Sequence, residues 1–561
     1  MTTSSLSLAA LGQSARSWRL TLVGIFLLAL AVLAPGIQSP TGITGKDEYF
    51  LSLRTPLEMM EKDAWVVPVL NGHPRLKKPP MLYWLGRASY ETFGPSLPAG
   101  RGVVVLLAAL MVAAGAALGR RLVGTPKAGL WSAALLLSML GLASESRRFM
   151  LDIPTAAFST LAFLFFLRWQ QAGRGGLNLI LGAVFLAAGF LIKGPIVALV
   201  WGGGILALLL ARQWDWRQAW AKRTPLSLAA LLFLALALPW FVWVRLRFPE
   251  ASAAELQEEL EARQFFIFSP ESLLGLIQIA LPWSFALLGY AWRVRREPGP
   301  ARMLVLWFLL TFVPFFFIKT FDRYLVGSLV PLALLGAHAL SRPDAARPAL
   351  GAWGLRAGTL ISLLLAGGFA AFAAWFHLAG WLWLVPPLAW LAWAAFRPRP
   401  AQLAGAALLT WLTLFAVTFP ALGVNRVPPE VLALTAQRPV LMFDGPQPAL
   451  LPMLLHRSLN QSSKLEDPAL VAPPGLLVFA RSEDVDRLAA QLAPLGKALR
   501  PLGQYRVLSS RGSGIRFARE GAGSREWKEA LARHSLDPLY STVRYFELAP
   551  LSPAAPRGTE Q

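Results

Sequence analysis

Residues 46–94, KDEYFLSLRTPLEMMEKDAWVVPVLNGHPRLKKPPMLYWLGRASYETFG, form a polar stretch between two long apolar runs. Asp47 and Glu48 open it, where the run Leu20–Ile37 ends. Lys77, Lys78, Pro79 and Pro80 close it, followed at once by Tyr83 and Trp84 at the mouth of the next apolar segment. Ionisable groups where a hydrophobic span meets water are costly to keep there and mark a site when acids and bases occur together. Thr55-Pro56-Leu57-Glu58 has the form of a capping box with proline at the first helical position, which predicts a short helix. Phe50, Leu53, Leu57 and Met60 recur at near-helical spacing and predict helices lying in the membrane interface.

Composition fixes the class of protein around this stretch. The 561 residues are 55% hydrophobic and 15% charged, with a mean hydropathy of +0.50, too apolar for a soluble chain. The net charge of +22 raises the question of nucleic acid, yet the Lys and Arg residues sit in short clusters between apolar runs and not along one soluble face. The reading is an α-helical polytopic membrane protein with no nucleic-acid partner. The absence of cysteine removes disulfides and thiolate metal sites. The first apolar run is too long for a signal-peptide core and is read as a span.

About 20 helical residues cross a hydrocarbon core. Runs of that kind begin near Leu20, Gly102, Ala128, Ile153, Leu177, Pro195, Leu226, Ser272, Met303, Leu325, Leu355, Leu378 and Leu403, predicting about thirteen spans. One set of connections carries Arg120, Arg121 and Lys127, then Arg168 and Arg174, then Arg293, Arg295 and Arg296, and is cytoplasmic by the positive-inside rule. The other set faces outward: the opening stretch, Ser144 to Asp152, the Lys193 turn, Phe248 to Glu271, Lys319 to Tyr324, and the C-terminal part.

Those outward loops hold the candidate chemistry. Asp152 heads a span, where it serves either as a helix cap or as a functional acid. Lys193, flanked by Gly194 and Pro195, suggests a broken helix end lining a cavity. Arg323 and Tyr324 pair a guanidinium fork with a neutral phenol donor, both suited to phosphate oxygens. After about Asn425 the apolar runs stop, and strand-like and helix-like segments alternate as in a small α/β domain. The predicted organisation is a membrane domain over 1–424 with its outward loop at 39–100, an α/β domain over 425–549, and a disordered tail over 550–561. No catalytic motif appears in the α/β domain, which is assigned a supporting or partner-binding role.

Asp47-Glu48, Lys62-Asp63-Ala64-Trp65 with Pro68, and Lys78-Pro79-Pro80-Met81-Leu82-Tyr83-Trp84 resemble the signature of integral-membrane glycosyltransferases that use polyprenyl-phosphate sugars. The resemblance is to the bacterial lipid A aminoarabinose transferase branch of the protein O-mannosyltransferase superfamily. Arg148 to Asp152, Phe190 to Pro195, and Arg323-Tyr324 followed by Pro331 agree in order, so it covers residues 20 to 420. It implies a C-type glycosyltransferase fold in the bacterial inner membrane, with site and C-terminal domain on the periplasmic side. By matched position, Asp47 resembles the principal catalytic aspartate, with Glu48 beside it, and Asp152 the second acid. Lys78, Lys193, Arg263 and Tyr324, with Arg323 and Tyr83 alongside, resemble groups around the donor phosphate.

The implied reaction is inverting transfer of a sugar from a polyprenyl-phosphate donor to a lipid or glycan acceptor, among membrane lipids and with no cofactor. The alternatives are a lipid-linked sugar flippase or polymerase, or a protein O-glycosyltransferase. Two departures bear on metal. The aminoarabinose enzymes have a Glu before the motif lysine and a Glu-His pair upstream of the loop arginine, where this chain has Lys77 and Glu259-Leu260. Exchanging an acid for a cation and an imidazole for leucine removes oxygen and nitrogen ligands together, so no metal is expected.

Overall fold

The computed structural model describes residues 15–41, 47–172, 176–214, 216–264, 266–342, 350–444, 450–508 and 518–551. The predicted tail therefore lies almost wholly outside the described residues. The membrane part runs through α1 (Ala15–Leu33), a π-helical turn (Asp47–Ser52), α2 (Arg54–Glu61), the short strands β1 (Val69–Leu70) and β2 (His73–Pro74), then α3 (Met81–Phe93) and α4 (Leu97–Val123). It continues with α5 (Pro126–Ser138), α6 (Leu140–Glu145), α7 (Asp152–Ala172), α8 (Gly176–Lys193) and α9 (Val197–Leu210). Next come α10 (Trp216–Ala221), α11 (Arg223–Arg247), α12 (Pro249–Arg263), α13 (Glu271–Ile279), α14 (Ser284–Val294) and α15 (Pro300–Phe312). A 3-10 segment (Asp322–Ser328) leads into α16 (Leu329–Ser341), followed by α17 (Ala352–Trp375), α18 (Val385–Phe396) and α19 (Pro400–Thr413).

All thirteen apolar runs fall on or lead into helices, but they are not thirteen equal crossings. Among the described residues eight helices are long and apolar enough to span, or nine if α13 and α14, bent by 110°, count as one. The runs at Leu177 and Pro195 merge into one stretch, Gly176–Leu210, of 35 residues. At 1.5 Å per residue that is about 50 Å, longer than a hydrocarbon core of about 30 Å. The run at Ala128 builds a helix of only 13 residues, and the one at Leu378 gives the shorter apolar helix Trp381–Phe396. Apolar outward faces, such as Leu20, Leu28, Leu228, Leu231 and Leu364, suit a lipid surround. The chain is a multi-pass integral membrane protein.

The outward stretch is packed into this bundle, not laid on it. Leu53 and Leu57 are fully buried in the main core, with Phe50 and Met60 packed against it, so the helical apolar face is turned to the bundle. The helix α2 forms, yet the capping box does not. Thr55 Oγ1 donates to the Leu51 carbonyl at 2.6 Å, and Glu58 turns to Arg54 at 2.8 Å. Asp63 and Trp65 of the motif hold the loop's own shape, since Asp63 accepts from Arg87 at 2.6 Å while the Arg87 guanidinium lies 4.0 Å from the Trp65 ring centre.

The C-terminal part is a five-stranded sheet in the order β4-β3-β5-β7-β6, where β3 is Val440–Phe443, β4 Asn460–Ser462, β5 Leu477–Arg481, β6 Lys497–Val507 and β7 Ser541–Pro550. β3 pairs in parallel with β4 and β5, and β7 runs antiparallel to β5 and β6. Side chains alternate between two cores, as period-2 strands require: Val440, Met442, Leu477 and Phe479 on one face, Leu441, Phe443, Val478 and Ala480 on the other. Leu450 and Met453 reach into the membrane bundle's own core and seat the sheet on it.

Candidate active site

Three outward connections meet at Asp152. This aspartate begins α7, and its Oδ1 lies 2.5 Å from Lys193 Nζ while Oδ2 is 3.5 Å from Arg323 Nε. Lys193 is the last residue of α8; Gly194 follows at φ +68, a left-handed conformation that ends the helix, and Pro195 starts a 3-10 turn. The predicted broken helix end is therefore real. Lys193 Nζ also sits 3.4 Å from the centre of the Tyr324 ring, a cation–π contact strengthened by burial. The Arg323 guanidinium lies 4.7 Å from the Phe321 ring centre, beside the same tyrosine. Asp152 is thus an ion-pair centre and not a cap, and its side chain is only 3% exposed.

The segment through Gly194 has two differently furnished sides. Lys193, Ile196, Leu199 and Val200 face a small pocket of about 20 Å³ shared with Asp152, Thr311, Tyr324 and Gly327. Pro195, Val197, Ala198 and Trp201 face a cavity of about 640 Å³. That cavity is almost wholly apolar, running among Phe190, Phe233, Leu226 and Trp214 of α8, α11 and the α9–α10 connection. A charged cluster and a hydrocarbon-lined space therefore share one wall.

Glu48 is placed differently from the expected catalytic acid. It is fully buried, and both oxygens are taken by Arg101, at 2.7 Å from Nε and 3.0 Å from Nη2. Its Oε1 also accepts the Phe149 backbone N–H at 2.9 Å. Arg101 spends its remaining donors on the Ile37 and Ser39 carbonyls, at 2.8 and 2.7 Å. A bidentate pair of this kind anchors the chain around it. The pair fixes the turn that carries Asp47, whose own side chain lies outside the described residues. So does that of Arg263, at the end of α12.

Tyr83 is 1% exposed and its hydroxyl accepts from Arg75 Nε at 3.3 Å within the loop. Lys78 pairs with Glu259 of α12 at 2.8 Å, and Lys77 bonds Glu258 alongside it. The acidic helix α12 thus supplies the partners of those lysines. Of the expected donor-binding groups, the structure brings Lys193, Arg323 and Tyr324 together around Asp152 and ties Lys78 to α12.

One pair was missed. Glu145 Oε1 accepts from Arg148 Nη1 at 2.7 Å, both residues buried in the loop leading to Asp152. Glu145 Oε2 and Arg148 Nε and Nη2 have no partner among the described residues. The i,i+3 spacing in Ser144-Glu145-Ser146-Arg147-Arg148 was the available signal.

Residues 52–253 match the family described as dolichyl-phosphate-mannose-protein mannosyltransferase. The undecaprenyl phosphate-alpha-4-amino-4-deoxy-L-arabinose arabinosyl transferase of Pseudomonas paraeruginosa is 29% identical over 348 residues, 58% of this chain. A second such transferase, from Pseudomonas fluorescens, is 29% identical over 352 residues, also 58% of this chain. The chain spans about 60% of the length of these relatives. The crystal structure of ArnT from Cupriavidus metallidurans bound to undecaprenyl phosphate superposes with a TM-score of 0.66 at 20% identity, covering 95% of this chain and 98% of that one. The chain thus has the C-type glycosyltransferase fold and is similar, over its membrane part, to the aminoarabinose transferase branch of the protein O-mannosyltransferases.

Proposed function

We propose that the chain is an inverting glycosyltransferase that moves one sugar from a polyprenyl-phosphate donor to a lipid or glycan acceptor. The observation that carries this reading is the wall through Gly194, with Lys193, Asp152 and Tyr324 on its polar side, Arg323 paired to that Asp152, and the apolar cavity behind. A phosphate bonded to a long hydrocarbon needs those two surroundings next to each other. The acceptor hydroxyl oxygen bonds to the anomeric carbon, the carbon's bond to the phosphate oxygen breaks, and the electron pair leaves on polyprenyl phosphate. Asp47 takes the hydroxyl proton. Lys193 and Arg323 stabilise the charge growing on the leaving phosphate, with Asp152 holding them in place beforehand. Arg263 and Lys78 remain candidates for the same phosphate. The arginine-bearing connections support a position in the bacterial inner membrane with this site facing the periplasm.

The test is transfer of labelled sugar from a synthetic polyprenyl-phosphate sugar to envelope lipids by the purified protein alone. Lys193→Ala should weaken donor use about ten- to a hundredfold, since a charge-assisted contact is worth about 1.5 to 3 kcal/mol. Unchanged donor kinetics in that variant, or donor translocation without transfer in the wild type, would overturn the reading.

Activity should survive exhaustive EDTA treatment. Lys77, standing where an acid ligand was looked for, is bonded to Glu258 and presents a cation there. Loss of transfer on chelation and recovery with added divalent ion would show that Asp47 and Asp152 work through a metal.

A further inference from the structure

The C-terminal sheet meets the outward stretch along its outer strand β4, and the meeting point is a buried charge. Arg54 of α2 is 1% exposed. Its Nη1 donates to Gln461 Oε1 at 3.0 Å, and its Nη2 donates to the Leu459 carbonyl at 3.1 Å. On its own side Nη2 donates to Glu58 Oε1 and Asn71 Oδ1, both at 2.8 Å. Glu58 Oε2 in turn accepts the Gly72 backbone N–H at 3.0 Å. A second link runs the same way: Glu61 Oε1 accepts the Ser458 N–H at 2.6 Å.

One guanidinium therefore joins three pieces of chain. They are α2, the Asn71-Gly72 turn, whose residues sit at φ 53 and φ 79, and the edge strand of a domain some 400 residues later. A joint needing only adhesion is satisfied by apolar contact. A buried charge is costly unless its partners are in place, so the four bonds from the two terminal nitrogens, with Nε unpaired among the described residues, hold one geometry. That geometry bears on the site from both sides. The turn starting at Asp47 runs straight into α2, and the Asn71-Gly72 turn precedes Lys77 and Lys78. Glu48 and Arg101 already fix the near end; Arg54 fixes the far one.

We propose that Arg54 is a positioning residue through which the C-terminal domain sets the outward stretch for transfer. The domain is then a component of active-site assembly and not an appended partner-binding module. This rests on the transfer reading above, and two readouts keep the two apart. Full-length wild type, Arg54→Lys, Gln461→Ala and the double variant are compared in nanodiscs by transfer kinetics and by hydrogen exchange of residues 54–75. A lysine cannot serve four acceptors with one planar fork. Arg54→Lys should lower kcat about ten- to a hundredfold, the scale of a 1 Å misplacement. Donor KM should change less than about threefold, because Lys193, Arg323 and Tyr324 lie on other elements. Exchange over 54–75 should quicken. Gln461→Ala, changed only on the domain side, should shift both readouts in the same direction but less, and the double variant should be no worse than Arg54→Lys, since both act through one contact. Unchanged exchange in both single variants, multiplying effects in the double, or unaltered kcat per folded protein alongside lower thermal stability would each overturn the proposal. If wild type shows no transfer, the transfer reading falls, and the exchange data decide the joint by themselves.

Discussion

Replacing Arg101 by methionine should be among the most damaging single changes to the fold, costing about 3–5 kcal/mol, because it strips a fully buried carboxylate of the only cation paired with it among the described residues. Glu48 would be left with one backbone N–H, and the Ile37 and Ser39 carbonyls would lose their shared donor. In detergent the variant should lose its monodisperse folded form at markedly lower temperature than the wild type. The double variant Arg101→Met with Glu48→Leu should recover part of that loss, since replacing a whole buried pair with apolar groups is far less costly than breaking it. Equal stability of Arg101→Met and wild type would mean that the pair is not the anchor described here.

Asp47→Asn should lower transfer by about a hundred- to ten-thousandfold, the range for a positioned general base, while the protein stays folded and still binds polyprenyl phosphate. An amide keeps the shape and loses the proton acceptor. The comparison with Glu48→Gln separates the two neighbouring acids: Glu48→Gln should act on folding yield, and whatever protein does fold should retain substantial turnover. Near-normal transfer by Asp47→Asn would remove this residue from its role. A folded but inactive Glu48→Gln would move that role to Glu48.

These paired outcomes also mark where sequence reading reached and where it stopped. Asp152, Lys193, Arg323 and Tyr324 were legible because ionisable side chains at span ends are rare and each sat beside a helix-breaking or span-starting signal. Their meeting was not legible, since it depends on how α7, α8 and the turn before α16 pack. The pairing of Glu48 was hidden for the same reason. Its partner Arg101 lies 53 residues away inside an apolar run, and neither shows the other in one dimension. The capping-box pattern failed because tertiary partners outbid a local bond: Glu58 had Arg54 and Gly72 to satisfy. Apolar runs announce hydrophobicity without announcing helix length, so the runs at Ala128 and Leu378 gave no sign of the short helices they build. The joint at Arg54 spans 407 positions and carries no local pattern at all.

The wall at Gly194 has a consequence for lipid choice. Charge is held on one side of a single backbone step and hydrocarbon on the other, so a substrate is registered by the position of its headgroup-to-tail junction. A carrier with the junction in register would be accepted across a range of chain lengths, whereas a spacer inserted between phosphate and first isoprene would displace one half or the other from its compartment.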